Sequence, residues 1–163
     1  MMTLNLNKGF SLLELLIVVA IIGILASVIY PSYSRHSQGV YRTQAQADLL
    51  DFATAMERHK ATTFSYSGAA GSEASPTDIG VPWIFSDQSP ANNPAADKVY
   101  SLTIHDVSNN GRSFEIRATP YSGGPVGSGS MKEGMLSYFS DGRKAYDADK
   151  DGTYAASEYC WSC

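Results

Sequence analysis

Asp147, Asp149 and Asp151 stand at alternate positions in "DADKDGTYAASE", residues 147 to 158, and Glu158 closes the same stretch. Carboxylates at places one, three and five, glycine at six and glutamate at twelve make up the pattern with which a loop wraps calcium. Thr153 at place seven would offer its backbone carbonyl and Glu158 both of its oxygens, while Ala155 at nine would leave its place to water. Three carboxylates so close together repel one another, so a hard divalent cation would stabilise the loop. The competing reading is a solvated acidic turn between a strand and the chain end. The flanks do not read as the paired helices of an EF-hand, so the expectation is a structural calcium clip and not a sensor.

The other chemistry-bearing residues are sparse. Cys160 and Cys163 are the only cysteines, in "CWSC". In an oxidising compartment a small bridge between them is expected, and its short loop would add little stability on entropic grounds. Zinc would need two more ligands, and His36, His59 and His105 are scattered. A thioredoxin-like role lacks the following helix and the βαβ context. There is no G-x-S-x-G, no H-E-x-x-H and no nucleophile with a readable base, so the chain is not read as an enzyme. "YSGGPVGSGS", residues 121 to 130, lacks the Lys and Ser/Thr of a phosphate loop and is expected to be a flexible connection. The net charge of -4 provides no chain-wide basic patch, so nucleic acid is not evident as a partner.

Glu14 is conspicuous for another reason. It is the one charged group in the run of 21 residues from Phe10 to Tyr30, long enough to cross a hydrocarbon core as a helix. An ionisable group inside such a span demands a partner. A secretory signal peptide fits poorly, because the start carries only Lys8 and "GILAS" at 23 to 27 is a weak cleavage site. Lys8 before the run and Arg35 and Arg42 after it leave its orientation open.

"NKGFSLLELLIVVAIIGILASVIYPSY", residues 7 to 33, closely resembles the start of the type IV pilin family. The resemblance implies a leader of residues 1–9, cut between Gly9 and Phe10 by a membrane-embedded prepilin peptidase that then methylates the Phe10 amine. It also supplies the partner for Glu14: in an assembled filament the carboxylate would face the charged Phe10 amine of a neighbouring subunit, a strong pair in low dielectric. Residues 10–31 would form a transmembrane helix that becomes the filament core. Pro31 lacks an amide donor and Gly23 weakens the helix, so a kink is expected there, and filaments of this family often unwind the matching Gly23 to Pro31 stretch.

Residues 32–60 change from wholly apolar to amphipathic, with Ala45, Leu49, Phe52, Ala53 and Met56 at spacings of three and four. This half of the helix should lay one face on a sheet. Residues 61–163 then read as a globular region. Its first part, 61 to 97, is a long loop in which Trp83, Ile84 and Phe85 are expected to anchor into the core. Strands are expected at 98 to 107, 112 to 119 and 134 to 140, the first two joined by the tight turn "SNNG", and "DG" at 141 and 142 turns the chain toward "RKAYD". The expected class is α+β, the type IV pilin fold, with a long N-terminal helix packed on an antiparallel sheet.

The nearest resemblance is to PilE-like minor pilins. In those a Cys-Gly pair usually opens the third strand and closes a long disulfide to the C-terminal region, whereas here "KEGML" puts Glu133 beside Gly134. The calcium clip is the expected substitute. The function implied is a structural subunit, a minor pilin, of a bacterial type IV pilus. It would be an inner-membrane precursor that moves to the extracellular filament, with other pilin subunits, prepilin peptidase and the inner-membrane assembly machinery as partners. Rival readings are a pseudopilin of a type II secretion system, an adhesive or DNA-binding tip pilin marked by an exposed aromatic or basic patch at 61 to 97, and a membrane-anchored enzyme.

Overall fold

The computed structural model describes residues 10–71, 78–129 and 132–162. It contains one long helix, α1 (Leu12–Thr63), whose 52 residues include the apolar and the amphipathic stretch without interruption. Its start is set by "SLLE": the Leu13 amide donates to Ser11 Oγ at 3.3 Å and the Ser11 amide to Glu14 Oε2 at 2.9 Å. This reciprocal capping box satisfies two of the free amides that every helix start leaves. The chain stays helical through Gly23 and Pro31. At the other end the Phe64 amide donates to the Lys60 carbonyl at 2.7 Å, and Phe64 takes the left-handed conformation, φ 62°, that usually falls to glycine after a helix.

The chain divides into two compact units, Met1–His36 and Ser37–Cys163. In the first, the large apolar side chains from Leu12 to Leu25 are exposed. Among the described residues no helix is long and apolar enough to cross a membrane. The apolar stretch with every side chain described, Leu12 to Ser27, has 16 residues and reaches about 24 Å, short of a hydrocarbon core of about 30 Å. The expectation of a span therefore rests on the sequence run to Tyr30.

In the second unit the amphipathic reading holds residue by residue: Ala45, Leu49, Phe52, Ala53 and Met56 are all buried. They pack with a five-stranded antiparallel meander, β1 (Gln88–Ser89), β2 (Tyr100–Ser108), β3 (Ser113–Pro120), β4 (Leu136–Phe139) and β5 (Lys144–Tyr146), in that spatial order. "SNNG" makes the β2–β3 turn, with Asn109, Asn110 and Gly111 at positive φ as a tight hairpin requires. A bulge in β2 shifts the register between Ile104 and Asp106 and leaves His105 as the extra residue. That one insertion explains why the buried set runs Tyr100, Leu102, Ile104 and then moves to the odd-numbered Val107, which packs on the core partly buried. The two-residue β1 is too short to be legible in sequence and forms because Gln88 and Ser89 pair with Ser101 and Tyr100.

Two local expectations are corrected. Trp83 does not anchor the loop: it is 77% exposed, while Phe85 stacks on Phe52 with centroids 5.2 Å apart and Ile84 packs on the core partly buried. The segment bridges to the sheet at Gly80, whose amide and carbonyl both pair with Ile104. Past that bridge Val81 and Trp83 are exposed and Pro82 is buried between them. Nor does the glycine-rich stretch after β3 behave as a loose tether. Val126 is fully buried in the core, and a Cβ on Gly127 would fall 1.9 Å from the Tyr121 carbonyl oxygen. Its glycines permit close packing.

Candidate functional site

The residues singled out by sequence fall at opposite ends of the chain. Gly9 lies outside the described residues. Phe10 is 86% exposed and Glu14 sits in the first turn of α1, its carboxylate bonded to the amide of Ser11. Within its own chain, then, Glu14 already has a modest partner, a hydrogen bond that leaves most of its acceptor capacity free. A carboxylate in the first turn also suits the positive end of the helix dipole.

The acidic loop is built on backbone amides. Asp147 follows β5 directly and is buried; its Oδ1 accepts from the Asp151 amide at 3.1 Å and its Oδ2 from the Gly152 amide at 3.1 Å. Asp149 Oδ1 accepts from the same Asp151 amide at 3.2 Å, and Asp151 Oδ1 takes the amide and hydroxyl of Thr153 at 2.7 and 2.8 Å. Lys150 and Gly152 adopt positive φ, which winds the loop tightly enough to gather the acids. Side-chain oxygens of Asp147, Asp149 and Asp151 all lie within 4.8 Å of one another. Three hard oxygen donors in that spacing suit a divalent cation such as calcium.

Glu158 is placed differently. It is buried, its Oε1 accepts from the amides of Ala148 and Asp149 at 2.7 and 3.2 Å, and its Oε2 accepts from Ala155 at 2.9 Å. Here it closes the loop by holding amides and is not among the gathered acids. The titrations follow this geometry. The Ala155 amide, with those of Ala148 and Asp149, holds Glu158 below the usual carboxylate range, and Thr153 does the same for Asp151. Asp149 is the exception: the Asp151 amide pulls it down, but desolvation and the neighbouring charges of Asp151 and Glu158 leave it raised. Cys160 is disulfide-bonded and not a free thiol, and Cys163, its expected partner, lies outside the described residues.

Sequence reading passed over a third cluster. Arg42 of α1 grips Glu133, just before β4, through Nε at 3.1 Å and Nη2 at 3.0 and 2.9 Å, and Tyr146 of β5 donates to Glu133 Oε2 at 2.9 Å. Glu133 is 4% exposed. Burial pulls the Arg42 guanidinium down, and the hydrogen bonds and charge of Glu133 more than offset this, so it stays above its ordinary value. Burial and Glu133 together push Tyr146 up to about 12. The only sequence signal was a charged residue beside Gly134 where a resemblance placed cysteine. Partners 91 positions apart leave no short-range pattern to read.

An N-terminal helix, apolar at its start and packed by its later residues on a five-stranded antiparallel meander, is the α+β architecture of a type IV pilin-like subunit. The comparisons agree with it. Residues 31–126 match the family model described as "Type IV minor pilin ComP, DNA uptake sequence receptor", and residues 4–30 match the prokaryotic N-terminal methylation motif. The chain belongs to the type IV minor pilin ComP family. Among curated proteins it is 41% identical over 86 residues to the type IV major fimbrial protein FimA of Dichelobacter nodosus, covering 45% of this chain and 54% of that one. It is 45% identical over 51 residues to a fimbrial protein of Pseudomonas aeruginosa, 31% of this chain and 33% of the relative. Type II secretion system core protein G of the same species is 36% identical over 60 residues, 37% and 42% of the two chains. The chain spans about half or less of the length of these relatives. No solved structure matches it significantly.

Proposed function

We propose that this protein is a structural subunit, a minor pilin, of a bacterial type IV pilus, cut by prepilin peptidase after Gly9 and assembled through α1. The observation that carries the reading is that the methylation motif at residues 4–30 overlaps the start of α1, the same helix whose residues Ala45 to Met56 are buried in the domain core. The span from Phe10 to about Pro31 holds the precursor in the inner membrane, and Glu14 pairs in the filament with the Phe10 amine of a neighbour. The match to secretion core protein G covers 37% of the chain, whereas the ComP model covers residues 31–126. Intact mass and N-terminal sequencing of protein from sheared surface filaments tests this. An N-methylated Phe10 start supports it; protein still beginning at Met1 in cells with active peptidase, or processed protein confined to the envelope, rules out the pilus assignment.

A second reading, a DNA-receiving subunit, is favoured by the family description and by the surface. Phe64 and Trp83 are 89% and 77% exposed, supplying the exposed aromatics at 61 to 97 that such a role calls for. Arg58 and Arg112 are exposed and have no acidic partner among the described residues, whereas Arg42, Lys98, Arg117 and Arg143 are each within 3 Å of a carboxylate. Duplex binding that weakens on raising salt, and that weakens further in Arg112→Ala, supports it. Salt-independent or absent retention removes it. We further propose that the loop 147–158 takes one calcium ion between Asp147, Asp149 and Asp151, as a structural clip on the chain end.

A further inference from the structure

Cysteines only three positions apart can bridge nothing beyond their own turn, yet the segment from residue 132 to 162 pairs with β3 and puts Leu136 and Trp161 on the core. Besides the β3–β4 ladder, the tie that carries it to α1 is ionic. Glu133 precedes β4, Arg42 lies on α1 and Tyr146 ends β5, so the cluster joins three elements through one carboxylate with 3% of its side chain exposed. The Arg42 guanidinium also sits 4.3 Å above the Tyr146 ring, a cation–π contact that adds to the fork. Contacts between residues 91 positions apart close a long loop, as a disulfide placed there would. A half-buried fork differs from a covalent bond in one respect: it holds only while both charges are present, since the buried Glu133 carboxylate alone is left uncompensated, while Arg42 keeps a third of its side chain exposed.

We propose that Arg42, Glu133 and Tyr146 are the fastening that holds the C-terminal part of the domain to α1, and that the domain therefore keeps its fold when Cys160 is reduced. The C-terminal segment can dock before any oxidation, and the disulfide at Cys160 finishes the chain end alone.

The test uses the full chain in detergent micelles, in a Trp83→Phe background so that fluorescence reports Trp161, the other tryptophan. Trp161 Nε1 donates to the carbonyls of Ser137 and Ala145 at 3.2 and 3.1 Å, its carbonyl accepts from Gln46 Nε2 of α1 at 3.4 Å and its ring packs on the core, so its emission reads whether the end of the segment stays seated against α1. Reductant is expected to shift Tm by less than about 3 °C and to leave the Trp161 emission unchanged. Glu133→Gln or Arg42→Met alone lowers Tm by about 10 °C or more and red-shifts Trp161, and the apolar pair Arg42→Met with Glu133→Leu recovers at least half of the loss. Loss of cooperative unfolding on reduction overturns the proposal, as do single variants within about 2 °C of the parent. Should a single variant not accumulate as folded protein, the apolar pair decides: a folded pair supports the fastening, an unfolded pair overturns it.

Discussion

Gly134 and Gly39 make a paired experiment on what glycine is for. A Cβ built on Gly134 would lie 1.6 Å from the Asp147 carbonyl oxygen and 2.7 Å from its carbon. Ordinary carbon–oxygen contact begins at about 3.3 Å, so Gly134→Ala must push the two backbones apart by roughly 1.7 Å. The Asp147 amide donates to the Met135 carbonyl at 3.0 Å in the same crossing, and the β4–β5 ladder begins at Leu136 and Tyr146. Overpacking of this kind costs about 1–3 kcal/mol and a buried amide left without its acceptor another 1–3 kcal/mol. The expected loss is about 2–6 kcal/mol, a fall in Tm of roughly 6–25 °C for a unit of this size. Gly39 is the control: it lies within α1 and nothing stands within 4 Å of its Cβ position. Gly39→Ala should stabilise by about 0.5–1 kcal/mol, because glycine in a helix loses more chain entropy than alanine. Thermal unfolding followed by circular dichroism reads both. If Gly134→Ala unfolds within about 3 °C of the parent, the close crossing of Gly134 and Asp147 does not hold the end of the sheet, and the reasoning fails.

Tyr146 and Tyr154 are each pushed up to about 12 by burial, and burial also raises Tyr66 and Tyr100. A group whose folded pKa is raised lends stability that is complete below its unfolded value of about 10 and is lost as pH climbs toward 12. Tm should therefore fall between pH 10 and 12, with tyrosinate absorbance rising together with unfolding; absorbance that rises at pH 10 with the fold intact would show that these hydroxyls meet water. Glu14→Ala removes one half of the capping box and should reduce pilus incorporation severalfold while leaving processing at Gly9 intact, as read by immunoblots of sheared filaments and whole cells. Wild-type incorporation would remove Glu14 from assembly. Calcium at millimolar levels should raise Tm of the parent by several degrees and not that of Asp149→Asn, and equal shifts in the two would place any bound ion elsewhere. Phe52→Ala should cost about 3–5 kcal/mol, since Phe52 is fully buried and stacked on Phe85, whereas Trp83→Ala should change stability by less than about 0.5 kcal/mol.

Local patterns carried a large part of this molecule. The apolar run and the stripe from Ala45 to Met56 depend on helical period alone, so sequence by itself determined α1 and its buried face, while the Ser11–Glu14 cap at its start, although local, was read only from the structure. "SNNG" likewise fixed the β2–β3 turn, because positive φ at successive residues is a local demand. What the tertiary structure decided are meetings between distant residues. Arg42 finds Glu133 across 91 positions, Gly134 is glycine because Asp147 crosses it, and the glycines near Val126 admit neighbouring backbone. Trp83 and Phe85 share one short apolar run but part company, one exposed and one stacked on Phe52, and only the packing of α1 against this segment tells them apart. In the acidic loop both levels act: the spacing named Asp147, Asp149 and Asp151 in advance, and folding alone gave Glu158 to the loop's own amides. Periodicity records what a residue meets along its own element, while burial, close crossings and ion pairs record what other elements bring to it, and no spacing along the chain encodes that.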